Sequence, residues 1–91
     1  MAHLIRSNGD VSTVTPKNGK YFTLAELTEF VDGYVEVAHT RDGKIMVVNE
    51  DGSPMGLPYN AKATALYEYG EHHNIVGDVI VGSEDEIRLD Y

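Results

Sequence analysis

The groups in this 91-residue chain that could do chemistry are four histidines, fifteen acidic side chains and a scatter of hydroxyls. Their spacing argues against most catalysis. His72 and His73 are adjacent, so on a helix or a strand their rings diverge, and no pair has the i, i+2 or i, i+4 spacing that sets two imidazoles on one metal. His3 and His39 would have to be delivered by the fold. There is no cysteine, which removes disulfides and thiolate ligands. No serine sits in a Gly-x-Ser-x-Gly elbow, and no glycine pattern matches a dinucleotide or phosphate loop. Acids are abundant, but abundance does not pair two of them for acid–base work. The expectation is a protein with no catalytic residue, no metal site and no cofactor. A small hydrolase of a nucleotide signal is the enzymatic alternative.

Binding chemistry has better support, and it concentrates between Lys44 and Tyr67, KIMVVNEDGSPMGLPYNAKATALY. A helix starting at Asn60 offers unpaired backbone donors and a partial positive charge, with Asn60 and Thr64 at that end and Lys62 nearby. Arg41 and Lys44 flank a turn, and the loop from Lys17 to Lys20 is the remaining basic concentration. Converging with Asn49, Tyr34 and Glu36, these groups would make a pocket for a small anionic ligand such as a nucleotide. The competing reading is structural: Asn60 caps its helix and Asn49 closes its turn.

Those groups must be positioned by elements in the order ββαββαβ. His3 to Arg6 and Asp10 to Thr15 flank Ser7-Asn8-Gly9, and Asn-Gly favours a type I′ hairpin turn, with Leu4 and Val11 on one face and Ile5 and Val14 on the other. Pro16 ends the second strand because it lacks a ladder donor. Thr23 and Glu26 have capping-box spacing, Phe22 and Leu27 form the accompanying hydrophobic staple, and Leu24, Leu27 and Val31 continue at helical spacing to a left-handed cap at Gly33. Tyr34 to Thr40 and Lys44 to Asn49 form a second hairpin around Asp42-Gly43. A two-residue loop sets Ala38 opposite Val47 and Glu36 opposite Asn49, so that Val35, Val37, Met46 and Val48 face the helices. The other face then carries Tyr34, Glu36, Ala38, Ile45, Val47 and Asn49. That mixed surface is covered either by the N-terminal hairpin or C-terminal strand, or by a second subunit. A homo-oligomer joined over Tyr34, Ile45 and Val47 is the expectation. A helix from Ala61 to about Tyr69, capped by Asn60 and closed by Gly70, leads to an apolar strand, Asp78 to Val81, buried on both faces. The fold class is α+β, a small, mainly antiparallel sheet with two helices packed on one face. One domain spans 1–91, with 84–91 a loosely ordered tail or short edge strand.

Composition bounds the partners. With 42% apolar and 24% charged residues the chain is globular, and its net charge of −8 repels phosphate backbones and anionic membranes. Direct nucleic-acid and membrane binding are not expected. Met1-Ala2-His3-Leu4 lacks the order of a secretion signal and no apolar run approaches a bilayer span, so the expected location is cytoplasmic. The acidity also admits a decoy that imitates DNA, which would need Glu68, Glu71, Asp78, Glu84, Asp85 and Glu86 on one continuous face.

Phe22-Thr23-Leu24-Ala25-Glu26-Leu27, Gly33-Tyr34-Val35-Glu36-Val37, Met46-Val47-Val48-Asn49-Glu50-Asp51-Gly52, Gly56-Leu57-Pro58-Tyr59-Asn60, Ala63-Thr64 and Gly77-Asp78-Val79-Ile80-Val81 occur here in series. With these motifs the chain, from about Leu4 to Val81, resembles domain-of-unknown-function 3846, small proteins of phages, plasmids and other mobile elements. The resemblance carries over no catalytic residue. It implies a context: accessory proteins that counter host defences by sequestering nucleotide signals, imitating DNA or plugging a host protein.

Overall fold

Two turns set the register of the sheet. In the computed structural model, which describes residues 1–88, strand β1 (Ala2–Ile5) folds back on β2 (Val11–Val14) and β3 (Val35–His39) on β4 (Ile45–Asn49). Both connections are three-residue loops, not the two-residue turns expected. The Arg6 N–H donates to the Asp10 carbonyl (2.8 Å) and the Thr40 N–H to the Lys44 carbonyl (2.9 Å), closing Ser7-Asn8-Gly9 and Arg41-Asp42-Gly43. The last loop residue takes a left-handed conformation, with φ of 100° at Gly9 and 86° at Gly43. A turn followed by a left-handed glycine adds one residue and more twist than the two-residue type.

That residue moves the second hairpin by one position. Val37 lies opposite Val47, Ala38 opposite Met46 and Glu36 opposite Val48. Since side chains alternate, a one-residue slip exchanges the faces. Ile45 and Val47 therefore point with Val35 and Val37, while Met46 and Val48 point with Glu36 and Ala38. In the first hairpin Ile5, not Leu4, shares a face with Val11.

Strand β5 (Val79–Gly82) enters between β1 and β4, giving the order β2-β1-β5-β4-β3 with every pairing antiparallel. All four of its residues are buried, as expected of a central strand. The α+β class and the ββαββαβ order hold. The distribution of the helices does not. Leu27 and Val31 of α1 (Leu24–Val31) pack with Ala2, Phe22, Ile45, Val47, Ile80 and Ile87. Ala63 of α2 (Ala61–Leu66) packs with Ile5, Met46, Val48, Ile75, Val79 and Val81. Successive residues of β4 and β5 thus belong to different cores, and the helices cover opposite faces. The reason lies in β4, whose run Ile45-Met46-Val47-Val48 has no polar side and needs a cover above and below. Ile45 and Val47 are 2% and 1% exposed beneath α1, which rules them out as the subunit contact expected from the mixed face.

Local signals explain the helix ends. The Thr23 hydroxyl accepts from the Glu26 N–H (3.2 Å) and the Glu26 carboxylate accepts from the Thr23 N–H (3.0 Å), so the capping box forms. The left-handed cap of α1 is Asp32 (φ 60°), not Gly33. Helix α2 stops at Leu66 because the chain beyond it is drawn onto the second hairpin: Leu66 accepts from the Arg41 N–H (2.9 Å) and the Glu68 N–H donates to His39 (3.0 Å). At the other end, the Phe22 N–H donates to the Glu86 carbonyl (2.8 Å) and Ile87 is fully buried beside Phe22. The chain is therefore docked on the core as far as Ile87. Leu89 to Tyr91, the rest of the expected tail or edge strand, lie outside the described residues. No helix among the described residues is long and apolar enough to cross a membrane.

The capping box makes stability depend on pH. The Thr23 N–H is the main reason the Glu26 carboxyl is held below its usual 4.5; burial opposes this, and the Lys17 N–H and Thr23 hydroxyl add to the lowering. A folded value below the unfolded one stabilises the protein fully above 4.5, and the benefit fades as pH falls through the folded value. Glu26→Gln is expected to lower Tm at neutral pH, and that deficit is expected to shrink as pH falls below 4.5. Thermal unfolding across a pH series checks this, and a deficit independent of pH would mean that the charge contributes nothing.

Candidate functional site

The amides and hydroxyl at the strand–helix junctions are occupied by the backbone. Asn49, 5% exposed, donates from Nδ2 to the Val31 (3.0 Å) and Asp32 (3.2 Å) carbonyls and accepts at Oδ1 from the Asp51 N–H (2.8 Å). It closes both the C-terminus of α1 and its own turn. Asn60, 1% exposed, caps α2 through the Ala63 N–H (3.0 Å) and donates to the Ile5 (3.0 Å) and Gly77 (2.8 Å) carbonyls. The Thr64 hydroxyl donates to the Asn60 carbonyl (2.8 Å) and accepts from the Ile75 N–H (2.9 Å). Three of the candidate ligand-binding residues therefore hold the scaffold together, and the structural reading of Asn49 and Asn60 applies.

The basic candidates do meet. Lys44 and Lys62 line one groove of about 380 Å³ between α2, the second hairpin turn and the β1–β2 hairpin. Its walls are apolar: Ile5, Val11, Ala65, Leu66 and Val81. His3, Thr40 and Asp42 complete the lining. The register produces this arrangement, since His3 and Ile5 of β1 share the α2 face with Val81 and with Val11 of β2. Val11 and Leu66 stay 49% and 40% exposed, as walls of an open groove would.

Both lysines rest on internal acceptors. Lys62 Nζ donates to the Gly9 carbonyl (2.6 Å), tying α2 to the first turn, and Lys44 Nζ lies 3.9 Å from an Asp42 oxygen. The Thr40 hydroxyl donates to the Asp42 carboxylate, and this bond, ahead of the nearby Lys44 charge, keeps that carboxyl below its usual value. Arg41 borders the groove, its Nε donating to the Ala65 carbonyl (3.3 Å) and its guanidinium 3.8 Å from Glu71. Three of the seven basic side chains of the protein thus gather at one place in an otherwise acidic chain. An apolar slot with two exposed, long-stemmed ammonium groups can hold a ligand that has a flat apolar body and an anionic group.

Tyr34 and Glu36 are not part of it. Tyr34 is exposed just before β3, and Glu36 lines a separate hollow of about 120 Å³ with Val48 and Asn74. No sequence signal singles out His3, Ile5, Val11, Leu66 and Val81, which line the groove. With the correct hairpin loops, the pairing of Ile5 with Val11 would have shown an apolar patch facing α2.

A larger hollow of about 530 Å³ between the first hairpin and α1 is electrically mixed, with Arg6 and Lys17 facing Glu26, Glu29, Asp32 and Asp78. Asp78 there accepts from the Ser7 N–H (2.9 Å) and pairs with Arg6 (3.4 Å). Of the six acids required on a DNA-imitating face, four stand against different bases: Glu68 with His39 (4.0 Å), Glu71 with Arg41 (3.8 Å), Asp78 with Arg6 (3.4 Å) and Glu86 with the N-terminal ammonium (3.6 Å). His72 and His73 are exposed in the turn after Tyr69. Among the described residues no three His, Cys, Asp or Glu side chains are placed to share a metal ion.

Comparison with known families places the chain. The family model described as Domain of unknown function (DUF3846) matches residues 2–88, and the chain belongs to that family. No curated protein and no solved structure matches it.

Proposed function

We propose that this family member is a non-catalytic binding protein that captures a small anionic ligand of nucleotide type in the groove between α2 and the two hairpin turns. The observation that carries the reading is the pairing of Lys44 and Lys62 over the apolar walls Ile5, Val11, Leu66 and Val81, in a chain of net charge −8. The apolar walls take the base, and the ammonium groups exchange the Gly9 carbonyl and the Asp42 carboxylate for the phosphate. A phosphate offers Lys62 an ionic partner in place of a neutral carbonyl, and it offers Lys44 a hydrogen-bonding anion in place of a carboxylate 3.9 Å away. The volume lies within the usual range for small-ligand sites. In the setting of phages and plasmids that the family resemblance implies, such a protein would act by sequestering a nucleotide signal.

Isothermal titration against a panel of linear and cyclic adenosine nucleotides tests this. At least one member is expected to bind, and Lys44→Gln and Lys62→Gln are each expected to weaken it about tenfold. Both lysines are on the surface, so Tm should be nearly unchanged in either variant. Chromatography of the nucleotide after incubation and denaturation should return it intact. A flat response across the panel overturns the binding reading, and a converted nucleotide overturns the non-catalytic one.

A further inference from the structure

The two edges of the sheet are finished differently. At the β3 edge the chain after α2 lies alongside, with the Glu68 N–H donating to the His39 carbonyl (3.0 Å) and Tyr67 bridged to Thr40, and an exposed carboxylate, Glu36, stands on the strand itself. These are the usual means of keeping a sheet edge from pairing with another. The β2 edge has neither. Val11, Ser12 and Thr13 are exposed, no charge occurs from Val11 to Pro16, and among the described residues no strand pairs with the outer side of β2. The Arg6–Asp10 bond fixes which backbone groups turn outward: Ser12 pairs inward with Leu4, so the N–H and C=O of Val11 and Thr13 face away from β1.

We propose that this edge is a self-association surface, and that two copies join antiparallel along β2 into one ten-stranded sheet. Charge selects both the partner and the direction. Copies of net charge −8 repel, and the Val11 to Pro16 segment, a strip without acids, is a place where that repulsion is reduced. Its ends carry opposite charges, Asp10 and Lys17, both exposed. Antiparallel pairing about Thr13 brings the Asp10 end of one copy to the Lys17 end of the other, whereas parallel pairing would set like beside like. Thr13 then faces Thr13 of the second copy, and the outward groups of Val11 and Thr13 gain partners. Paired residues of adjacent strands project to the same side, so both grooves open on one face of the joined sheet, flanking the seam at Val11. This pairing stands whether or not the groove binds a nucleotide.

Sedimentation equilibrium over a concentration series tests it. The protein is expected to approach twice the 10.0 kDa chain mass. Thr13→Lys sets two ammonium groups face to face at the seam, and Thr13→Pro removes the outward N–H without removing a bond to β1. Each should raise the dimer dissociation constant by about tenfold or more, with the far-ultraviolet circular dichroism retained by at least one of them. Glu36→Lys, at the opposite edge, should leave association intact. A monomer at every concentration, unchanged association in a folded Thr13 variant, or dissociation by Glu36→Lys overturns the proposal.

Discussion

Asn60→Ala is expected to destabilise the protein by about 3–5 kcal/mol. Loss of the helix cap accounts for about 1 kcal/mol. The rest comes from the Ile5 and Gly77 carbonyls, which accept from Asn60 Nδ2 at 3.0 and 2.8 Å and would be left buried without that donor. Asn60→Asp separates the two contributions. Aspartate is a good helix cap, but it cannot donate and would aim a carboxylate at two carbonyls. If Asn60 only caps, Asn60→Asp is harmless; if it ties β1, α2 and the start of β5 together, it is as damaging as alanine. Denaturant unfolding of the three proteins decides, with the large loss in both variants as the expected result.

Gly70→Ala is expected to cost about 3 kcal/mol or more. A Cβ at Gly70 would lie 1.9 Å from the Thr64 carbonyl oxygen and 3.0 Å from its carbon. These are backbone atoms in a helix, so no side chain can swing aside. Thr64 also bonds to Asn60 and to Ile75, so moving the end of α2 disturbs the same junction that Asn60 holds. Gly19→Ala is the control. Gly19 has φ of 78° but open space around it, so alanine there should cost only about 1 kcal/mol of backbone strain. Thermal melts of both variants check the contrast, and equal losses would mean that the approach to Thr64 is not what demands glycine at 70.

Much of the scaffold was legible because its signals are local. Thr23, Glu26, Phe22 and Leu27 act within one turn of a helix, and their spacing alone predicts the cap that forms. The element order followed from similar punctuation by glycine, proline and asparagine. The hairpin register is not legible from these turns, because Asn-Gly and Asp-Gly serve two loop lengths, with glycine left-handed in both. A distinguishing cue was present in the second turn. The Thr40 hydroxyl accepts from the Lys44 N–H (2.9 Å) and donates to the Asp42 carboxylate, an arrangement that belongs to the longer loop. From that single residue came the exchanged faces, the expectation of both helices on one side, and a subunit contact assigned to the buried Ile45 and Val47.

The site was legible only in part, for a different reason. Lys44 and Lys62 could be singled out as bases near a helix and a turn. Their companions His3, Ile5, Val11, Leu66 and Val81 come from three separate stretches of the chain and form no motif. Asn49, Asn60 and Thr64 have the right chemistry for a ligand, but a junction between elements also has the most backbone groups in need of partners. Burial, which a sequence does not display, decides between the two uses, and here it assigns all three residues to the fold.

The most direct test of this division between groove and scaffold is an amide-resolved nuclear magnetic resonance titration with the tightest-binding adenosine nucleotide. The largest shifts are expected on His3, Val11, Lys44, Lys62 and Leu66. They are expected to vanish at the same nucleotide concentration in the Lys44→Gln, Lys62→Gln double variant, whose spectrum is otherwise that of the folded protein. Shifts centred on Asn49 to Asp51, or a double variant that binds as well as the original, would contradict that division.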